Sequence, residues 1–348
     1  MLMSSKNEAP AESVDQRRTD TVRTKTEAPF VTIISRVAAR MGATIVVEPD
    51  LKVGGLITFK NGKQTFFRNK FFDINRLASL EIGRDKHATT FFLRSFGFKA
   101  PEEFAFLSNL SKAKSPTVGG INEAIKFAND IGYPVIVKPN SLTKGTGVAK
   151  VYSDAELVDA AQEAFLRDDV ALVQRFYPLS DYRIVVYDDR IITVLQRIPL
   201  NVTGDGLLTV RELLERKRSE LASISRDAHV DIEDRRIAVN LARRGTSLES
   251  IVADGERIQL LDNANVSAGG ESIVVTDRIH KKFAALAIDV TKMMNLRLCG
   301  VDLLTKDISS YSDDHIFLEI NGAPAMGSAG EHVVEELYLD ILSIIESQ

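Results

Sequence analysis

What this sequence lacks narrows the field first. It has no tryptophan and a single cysteine, Cys299, so no internal disulfide can form. That thiol lies inside an apolar run and reads as a packing residue rather than a nucleophile. No stretch approaches the ~18 consecutive apolar residues of a membrane-spanning helix, and the N-terminus carries no apolar core of a secretory signal. One-sided charge is also missing. With 44 basic against 48 acidic side chains the net charge is −4, which leaves no field for nucleic acid and no polybasic patch for a membrane surface. The five histidines, His87, His229, His280, His315 and His332, are scattered and read as surface or structural groups, with His229 the one worth testing. The default compartment is the cytoplasm.

What remains is a 348-residue chain, 44% hydrophobic and 26% charged, which is ordinary for a globular protein with a large core and two or three subdomains. Residues 1–29 are polar and aperiodic and read as a disordered tail. A helix is expected over Val31–Met41, stopped by Gly42, then a strand over Ala43–Val47. Asn61-Gly62 marks a hairpin between Leu56–Phe59 and Gln64–Arg68. One helix is expected from about Asn75 to Arg94. Strands follow at Pro134–Pro139, Val148–Tyr152 and Ala171–Phe176, with a helix opened by the capping box Ser153-Asp154-Ala155-Glu156. Two more, Tyr182–Tyr187 and Ile191–Arg197, turn at Asp188-Asp189. Residues 200–262 are polar and charged and read as a mobile insertion holding a helix from Thr209 to about Ser219, with a basic, helical stretch at 230–248. A last helix is expected over roughly Asp277–Met294.

Four constellations carry chemistry. The apolar runs Cys299–Leu304 and Ile316–Asn321 each hold out-of-place oxygen ligands: Asp302 in the first, Glu319 and Asn321 in the second. Strand alternation puts Glu319 and Asn321 on one face, and Asp302 on a neighbouring strand would complete a hard-oxygen set suited to Mg²⁺. The alternative is strand-end polar groups satisfied by backbone amides. Second, Lys138 ends an apolar strand before a loop containing Thr143, Lys144, Gly145, Thr146 and Gly147, which could hold polyphosphate or could be a solvated turn. It is not a Walker A loop, because no helix follows directly and the Gly-Lys-Ser/Thr order is missing. Third, Gln174, Arg175, Phe176 and Tyr177 run into Pro178, offering backbone groups and an aromatic face to a planar base, with Asp181 available to a ribose hydroxyl; an ordinary strand-to-loop junction fits equally. Fourth, Arg183 and Arg197 lie on successive antiparallel strands, and Arg197 needs an anionic partner within its apolar run. The small-residue loop Asn265–Gly270 could present amides to an anion or could be a plain turn.

In this order the pieces resemble the ATP-grasp superfamily, and within it the ATP-grasp module of bifunctional glutathione synthetases and cyanophycin synthetase. The likeness rests on RIPLNVTGDGLLTVRELLERK (197–217), NANVSAGG (263–270) and CGVDLL with FLEINGAP (299–304, 317–324), and covers about Asn75 to Gly330. It implies an α+β fold in which two subdomains clasp ATP between antiparallel sheets behind a small N-terminal region, with divisions at 30–100, 101–180 and 181–348. It implies that Lys138 and the Lys144–Gly147 loop hold the nucleotide phosphates and that Gln174–Tyr177 and Asp181 hold adenosine. Asp302, Glu319 and Asn321 would bind Mg²⁺ or Mn²⁺, with two ions expected. Arg183, Arg197 and Asn265 would stabilise a carboxylate being phosphorylated. The implied activity is an ATP-dependent carboxylate–amine ligase acting on a small acid and an amine through an acyl phosphate, in a protein that pairs as relatives commonly do. Two other classes stay open: a non-catalytic ATP-binding regulator, and a ligase that adds amino acids to a protein. There are departures. Where such ligases carry a second nucleotide lysine four residues after an Asp-Lys pair, Asp85-Lys86 is followed by Thr90, so that contact is lost or moved to Lys86. After Gly269-Gly270 stands Glu271, where glutathione synthetases are often basic.

Overall fold

The computed structural model describes residues 29–143, 145–224 and 230–348. The expected tail, Lys144 and His229 lie outside these, apart from Pro29, which begins the first helix. That helix, α1 (Pro29–Met41), leads into a four-stranded antiparallel sheet of β1 (Thr44–Val47), β2 (Gly54–Thr58), β3 (Gln64–Arg68) and β4 (Phe71–Phe72). The Asn61-Gly62 signal holds: Gly62 has a φ of +85°, and Phe59 and Lys63 close the hairpin. α1 buries Val31, Ile34, Val37 and Ala38 in a core shared with the C-terminal helix, where Phe72 meets Tyr338 edge-on at 5.0 Å.

The single helix expected over Asn75–Arg94 is two, α2 (Leu77–Arg84) and α3 (Lys86–Ser95). The break is Asp85, whose extended backbone ends one helix while its carboxylate caps the next by accepting from the Ala88 N–H at 2.8 Å. A capping aspartate is worth about 1 kcal/mol to the helix it starts. This kink aims Lys86 at the start of the glycine loop and His87 at Glu103.

A second antiparallel sheet, in the order β5-β8-β6-β7, comprises β5 (Glu103–Leu107), β6 (Val135–Pro139), β7 (Ala149–Val151) and β8 (Val170–Arg175). Helices α4 (Asn109–Lys114), α5 (Ile121–Ile131) and α6 (Asp154–Phe165) belong to this part of the chain, and α5 and α6 pack on the sheet. Ser153 caps α6 as its motif indicates, and the Glu156 carboxylate returns to the Tyr152 N–H.

The third sheet is the frame of the site. Its order is β13-β10-β9-β14-β15, all antiparallel, from β9 (Ser180–Tyr187), β10 (Arg190–Ile198), β13 (Glu271–Val274), β14 (Leu298–Thr305) and β15 (His315–Asn321). Every residue of β14 is buried, which explains its nearly unbroken apolar sequence. Helix α9 (Lys281–Met293) covers one face through Phe283, Ala287 and Val290, and α10 (Glu331–Ser347) closes the chain against α1.

Within the segment expected to be a polar, mobile insertion, the described residues pack around a core of their own. Strands β11 (Asn201–Thr203) and β12 (Arg257–Gln259) pair, and with α7 (Val210–Ile224) and α8 (Arg235–Arg243) they enclose a core that includes Leu200, Leu213, Leu214, Ile237, Leu241 and Leu260. No helix among the described residues is long and apolar enough to cross a membrane.

Candidate active site

Register builds the centre of the site. On β9, β14 and β15, Arg183 stands opposite Asp302, and Asp302 opposite Glu319. Cross-strand partners share a face, so these three form one charged row. Asn321 lies two residues beyond Glu319 on the same face, opposite Gly300. No larger residue fits at Gly300: a Cβ there would lie 2.8 Å from Pro324 Cβ. On β10, Arg197 stands opposite Asp181.

Asp302 is buried and bonded through both carboxylate oxygens, Oδ1 accepting once. Arg183 donates from Nε and Nη2 to its two carboxylate oxygens, both at 2.8 Å. Arg197 Nη2 adds a bond at 2.9 Å and Asn321 Nδ2 one at 3.3 Å. Burial pushes this carboxyl up, but Arg183 and Arg197 outweigh it and hold the group below the usual aspartate range. Arg197 is itself shared, donating to Asp181 from Nε at 3.0 Å and from Nη2 at 2.6 Å. Both bonds end on Asp181 Oδ1, and burial pushes this carboxyl up to about 6 despite Arg197.

The donor set fits a hard cation. Glu319 makes no hydrogen bond among the described residues, and Asn321 spends its amide nitrogen on Asp302, which leaves its carbonyl oxygen open. Among those residues no three His, Cys, Asp or Glu side chains cluster as a complete protein cage. A site of one or two carboxylates and an amide oxygen, completed by phosphate and water, is what Mg²⁺ accepts.

Lys138 ends β6 and is buried. Its ammonium donates to Gln174 Oε1 at 3.3 Å, Gln174 Nε2 donates to Glu103 at 2.9 Å, and Glu103 meets His87 Nδ1 at 3.3 Å. Burial pushes Lys138 below the ordinary lysine value, against the pull of Glu319 and Glu103. Lys86 donates to the carbonyls of Asn140 and Leu142, at 3.2 and 2.5 Å, where the glycine loop begins. A cation therefore stands there although Thr90 replaces a lysine. Thr90 instead lines a cleft of about 360 Å³ with His87, Phe91, Arg94 and Glu103. Gly145 and Gly147 have φ of +66° and +71°, the left-handed region that glycine enters freely.

The Gln174–Tyr177 segment is anchored by a residue that the sequence alone did not mark. Glu102 binds Arg175 Nε at 2.7 Å through its carboxylate, accepts from the Arg175 N–H at 2.8 Å, and donates its own N–H to the Tyr177 hydroxyl at 3.0 Å. Arg175 and Tyr177 are spent on this anchor. Phe176 presents its ring, with Lys150 Nζ 3.7 Å from the centroid.

Asn265 caps a short turn: its Oδ1 accepts from the Ser267 N–H at 3.2 Å and the Ser267 hydroxyl at 3.1 Å. Its Nδ2 is buried without a partner among the described residues, and so are Asn263 Nδ2 and Ser272 Oγ. Ser272 stands opposite Arg197 on β13. Neither Asn263 nor Ser272 was singled out from the sequence; the only signal was their place around the Asn265 loop. Glu271 is paired with Lys217 at 2.7 Å and Arg257 at 3.3 Å.

Comparison with known proteins adds five matches. Residues 93–244 match the family model described as the C-terminus of D-ala D-ala ligase, and residues 247–345 match the RimK-like ATP-grasp domain. A glutathione biosynthesis bifunctional protein of Listeria monocytogenes is 34% identical over 199 residues, 55% of this chain and 26% of that protein. Cyanophycin synthetase of a Synechocystis species is 29% identical over 260 residues, 71% of this chain and 28% of that protein. The chain thus spans 26% and 28% of the length of these two relatives. The crystal structure of a bifunctional glutathione synthetase from Pasteurella multocida superposes with a TM-score of 0.57 at 22% identity, covering 90% of this chain and 44% of that one.

Proposed function

The chain belongs to the ATP-grasp superfamily, and on that premise we propose that it is an ATP- and Mg²⁺-dependent carboxylate–amine ligase. It would form an amide through an acyl phosphate and release ADP and phosphate. One observation carries this reading: the row Arg183–Asp302–Glu319, flanked by Arg197. A protein that only held nucleotide would have no use for two arginines locked beside its metal ligands.

Residues 101–180 and 181–348 would form the two halves of the clasp. Glu319 and Asn321 would hold Mg²⁺ or Mn²⁺, with Asp302 fixing the arginines and completing the ligand set. When bound, the ions supply charge neutralisation to the transferring phosphoryl group. Lys138, desolvated at the end of β6, adds a cation whose field is strengthened by its dry surroundings. Nη1 of Arg183 and of Arg197 makes no hydrogen bond among the described residues, so each can address the carboxylate of the acid. A carboxylate oxygen bonds to the γ-phosphorus as the bond to ADP breaks. The amine nitrogen then bonds to the acyl carbon, phosphate leaves, and the amine loses a proton.

The acid and amine are small amino-acid-like or peptide-like molecules, selected by the segments 199–209, 220–262 and 323–330. Two copies would pair. The test is phosphate release from Mg²⁺-ATP that depends on an added acid; release indifferent to any acid contradicts the reading.

A further inference from the structure

Beside Gly145, at the edge of the glycine loop, the amide groups of Asn263 and Asn265 come together. A Cβ built on Gly145 would lie 2.4 Å from Asn263 Nδ2 and 3.3 Å from Asn265 Nδ2, so the loop backbone rests directly against both. Both nitrogens are buried, and neither has a hydrogen-bond partner among the described residues. A buried amide left unpaired costs roughly 1–3 kcal/mol, and two such orphans at one point are a standing penalty that a ligand could lift.

The orientation of Asn265 is fixed by chemistry. Its oxygen is spent on the Ser267 amide and hydroxyl, so its NH₂ end must face the loop. Neither nitrogen reaches the two acceptors whose bonds are known here. The Gly145 carbonyl accepts from Val148, and Asp262 accepts from Asn240 and lies 3.9 Å from Lys150. Two NH₂ groups without an acceptor, under a glycine-bearing loop, suit an oxyanion with several lone pairs.

We propose that Asn263, with Asn265, donates to the terminal phosphoryl oxygens of the nucleotide, making Asn263 a further binding residue that senses the γ-phosphoryl group. The inference rests on the ligase reading above. On it, Asn263 discriminates a nucleoside triphosphate from a diphosphate, because only the triphosphate reaches both amides.

The test measures the affinity of the full-length protein for Mg²⁺-ADP and for the Mg²⁺ complex of the β,γ-imido analogue of ATP. Asn263→Asp is isosteric and exchanges the donor for an anion; Asn263→Ala removes the amide without adding charge. The expected result is about tenfold or greater weakening toward the analogue in both variants, the scale of a lost hydrogen bond to a charged group, with ADP affinity within about twofold of wild type. Circular dichroism melting of the free variants checks that they fold. An equal change for the two nucleotides, or no change, overturns the role of Asn263. Wild-type protein that binds neither nucleotide overturns the ligase reading beneath it.

Discussion

Arg183 and Asp302 are bonded two-for-two across the central sheet, their Cα atoms in register and both N–O distances 2.8 Å. The side chains are 14% and 1% exposed, so neither charge has much water to fall back on. Arg183→Leu should therefore destabilise the fold by about 3 kcal/mol, because it leaves a buried carboxylate one partner short. Adding Asp302→Leu should recover much of that loss. Urea unfolding of the two variants checks this, and a single-variant cost near zero would contradict the pairing.

Lys138 presents the opposite case. Its ammonium is buried with one weak hydrogen bond to Gln174, and desolvation disfavours its charge. Lys138→Met should leave the melting temperature unchanged or higher while Mg²⁺-ATP binding is lost. A variant that melts much lower would show the ammonium to be a structural group.

His87 and Glu103 give a signed pH dependence. The hydrogen bond to Glu103 raises the imidazole above its ordinary value of about 6.5. A raised folded value means that the pair contributes stability fully below the unfolded value and loses it as pH rises through the folded one. Glu103→Gln should move the His87 titration, followed by NMR, back down. A titration that does not move would remove His87 from the chain of bonds leading to Lys138.

Burial pushes the Cys299 thiol up to about 12, and its side chain is fully buried in the core shared with Phe283, Ala287 and Val290 of α9. Native protein should resist iodoacetamide at pH 8 and label readily in urea. Rapid native labelling would contradict the packing role read from its apolar surroundings.

The site was most legible where alternation and apolar context made a polar residue conspicuous. Asp302, Glu319 and Asn321 stood out as oxygens in buried strands, and Lys138 and Arg197 as cations in apolar runs. Residues whose role depends on register were hidden. Glu102 and Glu103 look like strand-edge acids until β5 is set beside β8, and Ser272 means nothing until it faces Arg197. Asp85 split a helix because its own side chain caps the second half, a choice that helical periodicity does not reveal. The 200–262 segment looked polar because Leu213, Leu214, Ile237 and Leu241 form narrow buried stripes on helices otherwise crowded with charge.

The most direct measurement mixes the protein with Mg²⁺-ATP and pooled amino acids and small peptides, following phosphate release while mass spectrometry searches for new amides. The account predicts one ADP and one phosphate for each product whose mass is acid plus amine less one water, with both signals lost in Glu319→Ala at unchanged fold. ATP turnover without an amide, or near-wild-type turnover in Glu319→Ala, would contradict it.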